Sequence, residues 1–301
     1  MPEQSYRCGY VAIVGRPNVG KSTLLNHILG MKLSITSRKP QTTRHQILGV
    51  KTSDESQAIY VDTPGIHRRR GSAINRYMNR AATSVLPDVD VVLFVIQAGS
   101  WHEEDQDVLD RLKEVVKVPV ILAINKIDQI SQQSELLKFT QDVAARFNFE
   151  AVVPCSALKN QGVEQIEKSV AAQLPENPAF FPEDQITDRS MRFLAAEIIR
   201  EKLVRELGQE LPYTSTVLIE KYVDEEALTR IHAVIHVENQ GQKAIIIGSK
   251  GARLKSIGTS ARKSIEQLIG NKVYLNLWVK VSEGWSNDER ALRSLGYDTD
   301  F

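Results

Sequence analysis

Between Tyr10 and about Leu174, short apolar runs alternate with amphipathic stretches. YVAIV, AIYVDT, VVLFVI, PVILAINK and AVVPCSA each lead into a loop or a helical pattern. That alternation predicts strands joined by helical crossovers, hence a mainly parallel sheet flanked by helices. Runs this uniformly apolar read as strands buried on both faces. The pattern breaks over residues 175–182, PENPAFFP, where proline removes backbone donors and disfavours helix. This segment reads as a linker or docking strap. Beyond it, SMRFLAAEIIREKLVREL has a helical period, and STVLIEKYV and RIHAVIHVE alternate as strands. A glycine-bounded loop and another helix follow. The expectation is an α/β domain over residues 1–177, a linker over 178–190 and a smaller α+β domain over 191–301.

The length of 301 residues suits two domains. The 42% hydrophobic and 25% charged content is that of a globular chain, with no apolar run long enough to cross a bilayer. The polar start, Met1 to Arg7, lacks the basic-then-apolar layout of a secretory signal. Only Cys8 and Cys155 are present, which argues against a disulfide framework and for a reducing, cytoplasmic setting. A net charge of +1 excludes a uniformly basic surface, so affinity for nucleic acid would need local clusters of Lys and Arg.

Gly15-Arg16-Pro17-Asn18-Val19-Gly20-Lys21-Ser22 fits G-x-x-x-x-G-K-[ST] between an apolar strand and the helical segment that begins at Thr23. Glycines let backbone N–H groups turn inward around phosphate oxygens, and the helix N-terminus adds its positive end. Lys21 should reach the outer phosphates, and Ser22 is suited to ligate Mg²⁺. Asp62-Thr63-Pro64-Gly65 closes the strand AIYV, so a carboxylate emerges where ligands bind in open α/β folds. Asp62 is expected beside Mg²⁺. Gly65 can donate to a γ-phosphate and lose that contact on hydrolysis, which makes the loop beyond it a switch.

Asn125-Lys126-Ile127-Asp128 matches N-K-x-D after the strand VILAI. A carboxylate at Asp128 can accept from both the ring N–H and the exocyclic amine of guanine, donors that adenine lacks, which favours GTP over ATP. The stem of Lys126 is expected over the base, with Asn125 tying neighbouring loops together. Ser156 and Ala157 stand where a backbone N–H would meet the guanine oxygen. Further on, Gly248-Ser249-Lys250-Gly251 follows the apolar stretch Ala244 to Ile247 and precedes a helix with apolar Leu254, Ile257, Ile265 and Leu268. A GxxG loop in strand–loop–helix order fits a KH domain, which clamps about four nucleotides of backbone. Arg230, Lys243, Lys250, Arg253, Lys255, Arg262 and Lys263 stand against the single acid Glu238 in that region, so a positive local field is expected.

Taken together, GRPNVGKS, the PQTTRH segment at 40–45, DTPG, NKID and CSA resemble the Era family of GTPases, and the resemblance covers nearly the whole chain. It implies an α/β P-loop GTPase domain followed by a KH type II domain, with GTP/GDP and Mg²⁺ as cofactors. In such GTPases the loop with Gln41, Thr42 and Thr43 is the first switch, and one of the two threonines closes over Mg²⁺ and the γ-phosphate. Ras-like enzymes carry a water-orienting glutamine where this chain has Ile66, so slow intrinsic turnover is expected. His67 as a base and an arginine supplied in cis from Arg68-Arg69-Arg70 stay open beside readings of an incidental loop and a solvated face. Asn18 in the GxxNxGKS loop implies a K⁺ ligand between the phosphates, against the plainer reading that it stabilises its own turn. The family resemblance also implies binding to the 3′ end of 16S rRNA in small (30S) ribosomal subunit assembly. A monomer is expected. Two alternatives remain: an RNA-binding scaffold with negligible turnover, and a regulator in peripheral contact with the inner membrane.

Overall fold

The computed structural model describes residues 5–36, 43–64, 72–207 and 214–297. The chain divides into two compact units, the first made chiefly of residues up to Asp188 and the second of those from Arg189 onward.

In the first unit, β1 (Arg7–Val14), β3 (Ser56–Asp62), β4 (Val91–Gln97), β5 (Val120–Asn125) and β6 (Ala151–Pro154) are the parallel strands. The helices include α1 (Lys21–Leu29), the part of α2 (Ala73–Thr83) from Met78 on, α3 (Glu103–Val115), α4 (Gln133–Ala144) and α5 (Val163–Gln173). The apolar runs do lie buried on both faces: Val91 to Ile96 are wholly inaccessible. Val108, Leu109 and Leu112 of α3 pack against one of those faces. The sequence pattern missed β2 (Ile47–Thr52), which pairs antiparallel with β3 and completes the order β2-β3-β1-β4-β5-β6. Being an edge strand with Gly49 and Lys51 in its middle, it lacks the continuous apolar run that marks central strands.

Residues 175–188 form no regular element and lie along the first unit. The Cys8 N–H donates to Pro175 O (3.0 Å), Val50 N–H to Ile186 O (2.8 Å) and Thr187 Oγ1 to Leu48 O (2.7 Å). Gln57, fully buried, accepts at Oε1 from the N–H groups of Phe180 (2.8 Å) and Phe181 (2.9 Å) and donates from Nε2 to Phe181 O (2.9 Å) and Thr52 Oγ1 (3.0 Å). Proline-rich chain without its own ladder thus satisfies its backbone against the sheet.

The second unit is a three-stranded sheet, β7 (Ser215–Glu225), β8 (Leu228–Val237) and β9 (Lys272–Val281), in that order, with β8 and β9 parallel. Helices α6 (Met191–Glu206), α7 (Gln240–Ile247) and α8 (Ala252–Ile269) accompany it, and α9 (Glu289–Ser294) lies in the C-terminal tail. Ile199, Ile231, Ile235, Ile257 and Ile265 are central to its core. One expectation is corrected. Ala244 to Ile247, read as the strand before the GxxG loop, is the last turn of α7. Asn239 caps that helix by accepting from Gln242 N–H (2.9 Å), and only Ile246 is buried, so eight residues carry too little periodicity to tell strand from helix.

Candidate nucleotide site and RNA-facing loop

The turn from β1 into α1 depends on two glycines. Gly15 (φ +150°) has Val95 O where a Cβ would meet it at 2.3 Å, and Gly20 (φ +103°) has Asn125 Nδ2 at the same 2.3 Å. Asn18, exposed at the tip, takes the left-handed region (φ +64°) that Asn tolerates. Pro17 is half-buried, Val19 is buried, and Thr23 lies in the first turn of α1. No side chain caps α1 at Gly20 and no acid stands in its first turn, which leaves its N–H groups to an anion. Lys21 is buried, and its ammonium spans the loop to the carbonyls of Gly15 (2.9 Å) and Arg16 (3.0 Å). Burial lowers its pKa to about 8, against the opposing pull of Asp62. Arg16 turns away from the loop: its Nε donates to Asp105 Oδ2 (3.1 Å), which also accepts from His102 N–H (3.0 Å) at the start of α3. Asp105 was not singled out in the sequence; as the third residue of a helix it reads as an ordinary cap.

Three residues expected at the metal converge. Ser22 Oγ donates to Asp62 Oδ2 (2.8 Å) and lies 2.8 Å from Thr43 Oγ1. Asp62 is fully buried; burial raises its carboxyl pKa, opposed first by Lys21, and Oδ1 has no hydrogen-bond partner among the described residues. Two hydroxyls and a carboxylate with an orphaned oxygen are a hard donor set that fits Mg²⁺. Thr63 Oγ1 donates to Ile13 O (2.9 Å) and Pro64 is buried, which fixes the chain leaving β3. Gln41, Thr42, Gly65, Ile66, His67 and Arg68 to Arg70 lie outside the described residues.

At the end of β5, Asn125 Nδ2 donates to Val19 O (2.8 Å), while its Oδ1 accepts from Lys126 N–H (2.8 Å) and Ala157 N–H (2.9 Å). Asn125 therefore ties loops together as expected. The Ala157 N–H expected to meet the base is engaged by Asn125, so a guanine oxygen would share that hydrogen. Ser156 Oγ, buried, donates to Asp128 Oδ1 and orients it. Lys126 (φ +67°) sends Nζ to Gln97 Oε1 (2.9 Å), with its pKa lowered by burial and by Arg16. Gln97 carried no motif and escaped the sequence reading.

In the second unit, Gly248 (φ +70°) would bring a Cβ to 2.8 Å from that of Arg253, and Lys250 (φ +48°) is also left-handed. Ser249, Lys250 and Lys255 are exposed, and α8 starts at Gly251 without a side-chain cap. Arg253, expected to face RNA, instead donates from Nη1 to Ile245 O at the end of α7. Arg230 pairs with Glu225 (3.2 Å) and Arg262 with Glu266 (2.8 Å), so the basic cluster is less free than its sequence suggests. Leu254, Lys255, Gly258 and Thr259 face Leu275 and Leu277 across a groove between α8 and β9. A Cβ at Gly258 would come to 3.3 Å from Leu277. A glycine inside a helix costs about 1 kcal/mol relative to Ala, and that was the one available signal of this groove.

Residues 10–126 match the family described as 50S ribosome-binding GTPase, and residues 210–286 match the KH domain. The GTPase Era of Ectopseudomonas mendocina is 60% identical over 291 residues, covering 97% of each chain. The chain belongs to the Era family of GTPases. The Era of Azotobacter vinelandii is 59% identical over 295 residues, 98% of each chain. Among solved structures, an Aquifex aeolicus Era variant bound to GDP·AlF4⁻ is 41% identical with a TM-score of 0.91, covering 97% of this chain and 99% of that one. An Era in complex with MgGDPNP and nucleotides 1506–1542 of 16S ribosomal RNA is 40% identical with a TM-score of 0.93 and the same coverage. The α/β P-loop GTPase domain and the KH domain that the sequence implied are therefore those of the Era family.

Proposed function

We propose that this chain is a GTP-binding and GTP-hydrolysing switch that binds the 3′ end of 16S rRNA in assembly of the small ribosomal subunit. The observation that carries this reading is one chain holding both a Ser22–Thr43–Asp62 cluster, with Thr43 and Asp62 buried, beside a phosphate loop and a GxxG loop with exposed Ser249 and Lys250 beside a groove. Its resemblance to an Era solved with MgGDPNP and 16S rRNA nucleotides supports the choice of ligands. In this reading the backbone from Gly15 to Lys21 binds phosphate, and Ser22, Thr43 and Asp62 hold Mg²⁺, which when bound neutralises phosphate charge. Asp128 reads guanine, with Asn125, Lys126, Ser156 and Ala157 shaping the base site. Gly248, Ser249, Lys250, Gly251 and Lys255 meet the RNA backbone.

The GxxNxGKS loop, with Asn18 exposed at its tip, is the ground for K⁺ as a second cofactor. Equal hydrolysis rates in KCl and NaCl would exclude it. In this reading the working form is a cytoplasmic monomer with at most peripheral contact to the inner membrane; separately, no described helix is long and apolar enough to cross a membrane. Anisotropy of a labelled 16S 3′-end oligonucleotide at fixed salt, with GDP and then GDPNP, tests the switch. Tighter binding with GDPNP supports GTP-gated RNA capture and, by linkage, tighter GTP binding with RNA present. Equal binding in both states favours an uncoupled scaffold, and no binding rejects the RNA assignment.

A further inference from the structure

On the sheet face away from the helices of the second unit, Thr216, Val234 and His236 are buried and Thr216 Oγ1 lies 2.9 Å from Tyr297 Oη of the C-terminal tail, so what stays open is the margin along β9, an edge strand. Successive side chains of a strand point to opposite faces. Val273, Leu275, Leu277 and Val279 point toward the helices and core, so Tyr274, Asn276, Trp278 and Lys280 point the other way. Trp278 is 62% exposed and Tyr274 48% exposed, although both are large aromatic side chains on a regular strand. They stand roughly 13 Å apart along β9.

The register puts β8 residues of the same face beside them: Arg230 opposite Tyr274, His232 opposite Asn276 and Val234 opposite Trp278. His232 lies 6.2 Å from the Tyr274 ring, and the Arg230 guanidinium sits 5.9 Å from the same ring. Lys221 lies opposite His232 on β7, and Lys272 and Lys280 bracket the two aromatics on β9. The acids at this face are Glu220, at the bulge in β7, and Glu225, which Arg230 pairs. Along β9 this margin is aromatic, basic and open, while Val234 beside Trp278 is buried.

We propose that this outer face is a second RNA surface, on which a single strand leaving the GxxG groove stacks its bases against Trp278 and Tyr274. Continuity selects this occupant. The groove's far wall is Leu275 and Leu277, and the proposed platform is the opposite face of the same edge strand, so a strand in the groove has only the edge of β9 to cross. Aromatic faces stack bases with little regard to sequence, and lysines around them follow the backbone. The inference rests on the RNA reading above, and it adds a stacking platform outside the GxxG groove.

The test uses the full chain with GDPNP, at fixed salt, and two labelled oligonucleotides from the 16S 3′ end. One is about four nucleotides long and fills only the groove; the other is about ten, long enough to reach the outer face. Trp278→Ala combined with Tyr274→Ala should weaken the longer RNA about tenfold or more and leave the shorter unchanged, while Trp278→Phe keeps most of the affinity. The longer RNA should also quench Trp278 fluorescence. Unchanged affinity for the longer RNA, or equal loss for both, overturns the proposal. If the wild type binds neither, the RNA reading itself fails, a separate result. If the double variant loses only flotation with anionic phosphatidylglycerol vesicles, or only self-association in sedimentation, the face belongs to a membrane or a second copy and the proposal falls.

Discussion

Asn125 Nδ2 donates to Val19 O at 2.8 Å, so the loop facing the base is tied directly to the loop cradling phosphate. Asn125→Ala also strips the acceptor from the Ala157 and Lys126 N–H groups. At about 1 kcal/mol per hydrogen bond, GTP and GDP affinities should both fall by about 2–4 kcal/mol, measured by calorimetry. Asp128→Asn should weaken both nucleotides as well, but without the loss of thermal stability that accompanies Asn125→Ala.

The glycines of the phosphate loop differ from other left-handed glycines in what surrounds them. Gly15→Ala drives a Cβ to 2.3 Å from the Val95 carbonyl, whereas at Gly30 (φ +68°) nothing lies within 4 Å. Gly30→Ala should cost only the conformational penalty of about 1–2 kcal/mol. Gly15→Ala should cost clearly more and remove nucleotide binding; similar melting temperatures for the two would contradict the close-approach argument.

Thr43, 2.8 Å from Ser22, is the described switch threonine at the proposed metal. Thr43→Ala should lower the GTP hydrolysis rate and raise the Mg²⁺ concentration needed for half-maximal activity, with GDP affinity nearly unchanged. A Thr43→Ala enzyme with unaltered Mg²⁺ dependence would separate this residue from the metal.

Gln57 fastens residues 180 and 181 to the sheet. Gln57→Leu removes the bonds to two part-buried N–H groups and a carbonyl, at about 1 kcal/mol each. The first unit should melt lower, and limited proteolysis should cut sooner between 178 and 187. Unchanged cleavage would mean the strap is held elsewhere.

His236 is buried, with Nδ1 2.9 Å from Ser282 Oγ and Nε2 without a partner among the described residues. Burial, then Lys280, push its pKa below 6.5, with Glu220 opposing. The unfolded chain therefore holds more protons below pH about 6.5, and stability of the second unit should fall as pH drops from there toward the folded value. Urea midpoints taken at about pH 7.5 and 5.5 should diverge less for His236→Gln than for the wild type. Equal divergence would assign the pH effect to other groups.

Much of this molecule was legible in the linear chain because its signals are local. Central strands are unbroken apolar runs, and the phosphate and base loops are short motifs at strand ends, so spacing alone named Lys21, Ser22, Asp62, Asn125 and Asp128. What spacing does not carry is direction and partner. The turn of Arg16 onto Asp105, the Ser22–Thr43 contact, the capture of Ala157 N–H by Asn125 and the folding back of Arg253 onto Ile245 each join residues whose proximity depends on packing of separate elements. Edge strand β2 and the short helix α7 also escaped, because neither buries enough of itself to imprint a period. The sequence by itself determined the chemistry at strand ends, where adjacent residues act together; tertiary structure alone decided which side chains meet across loops and which face of β9 remains open, since burial is a property of the whole fold.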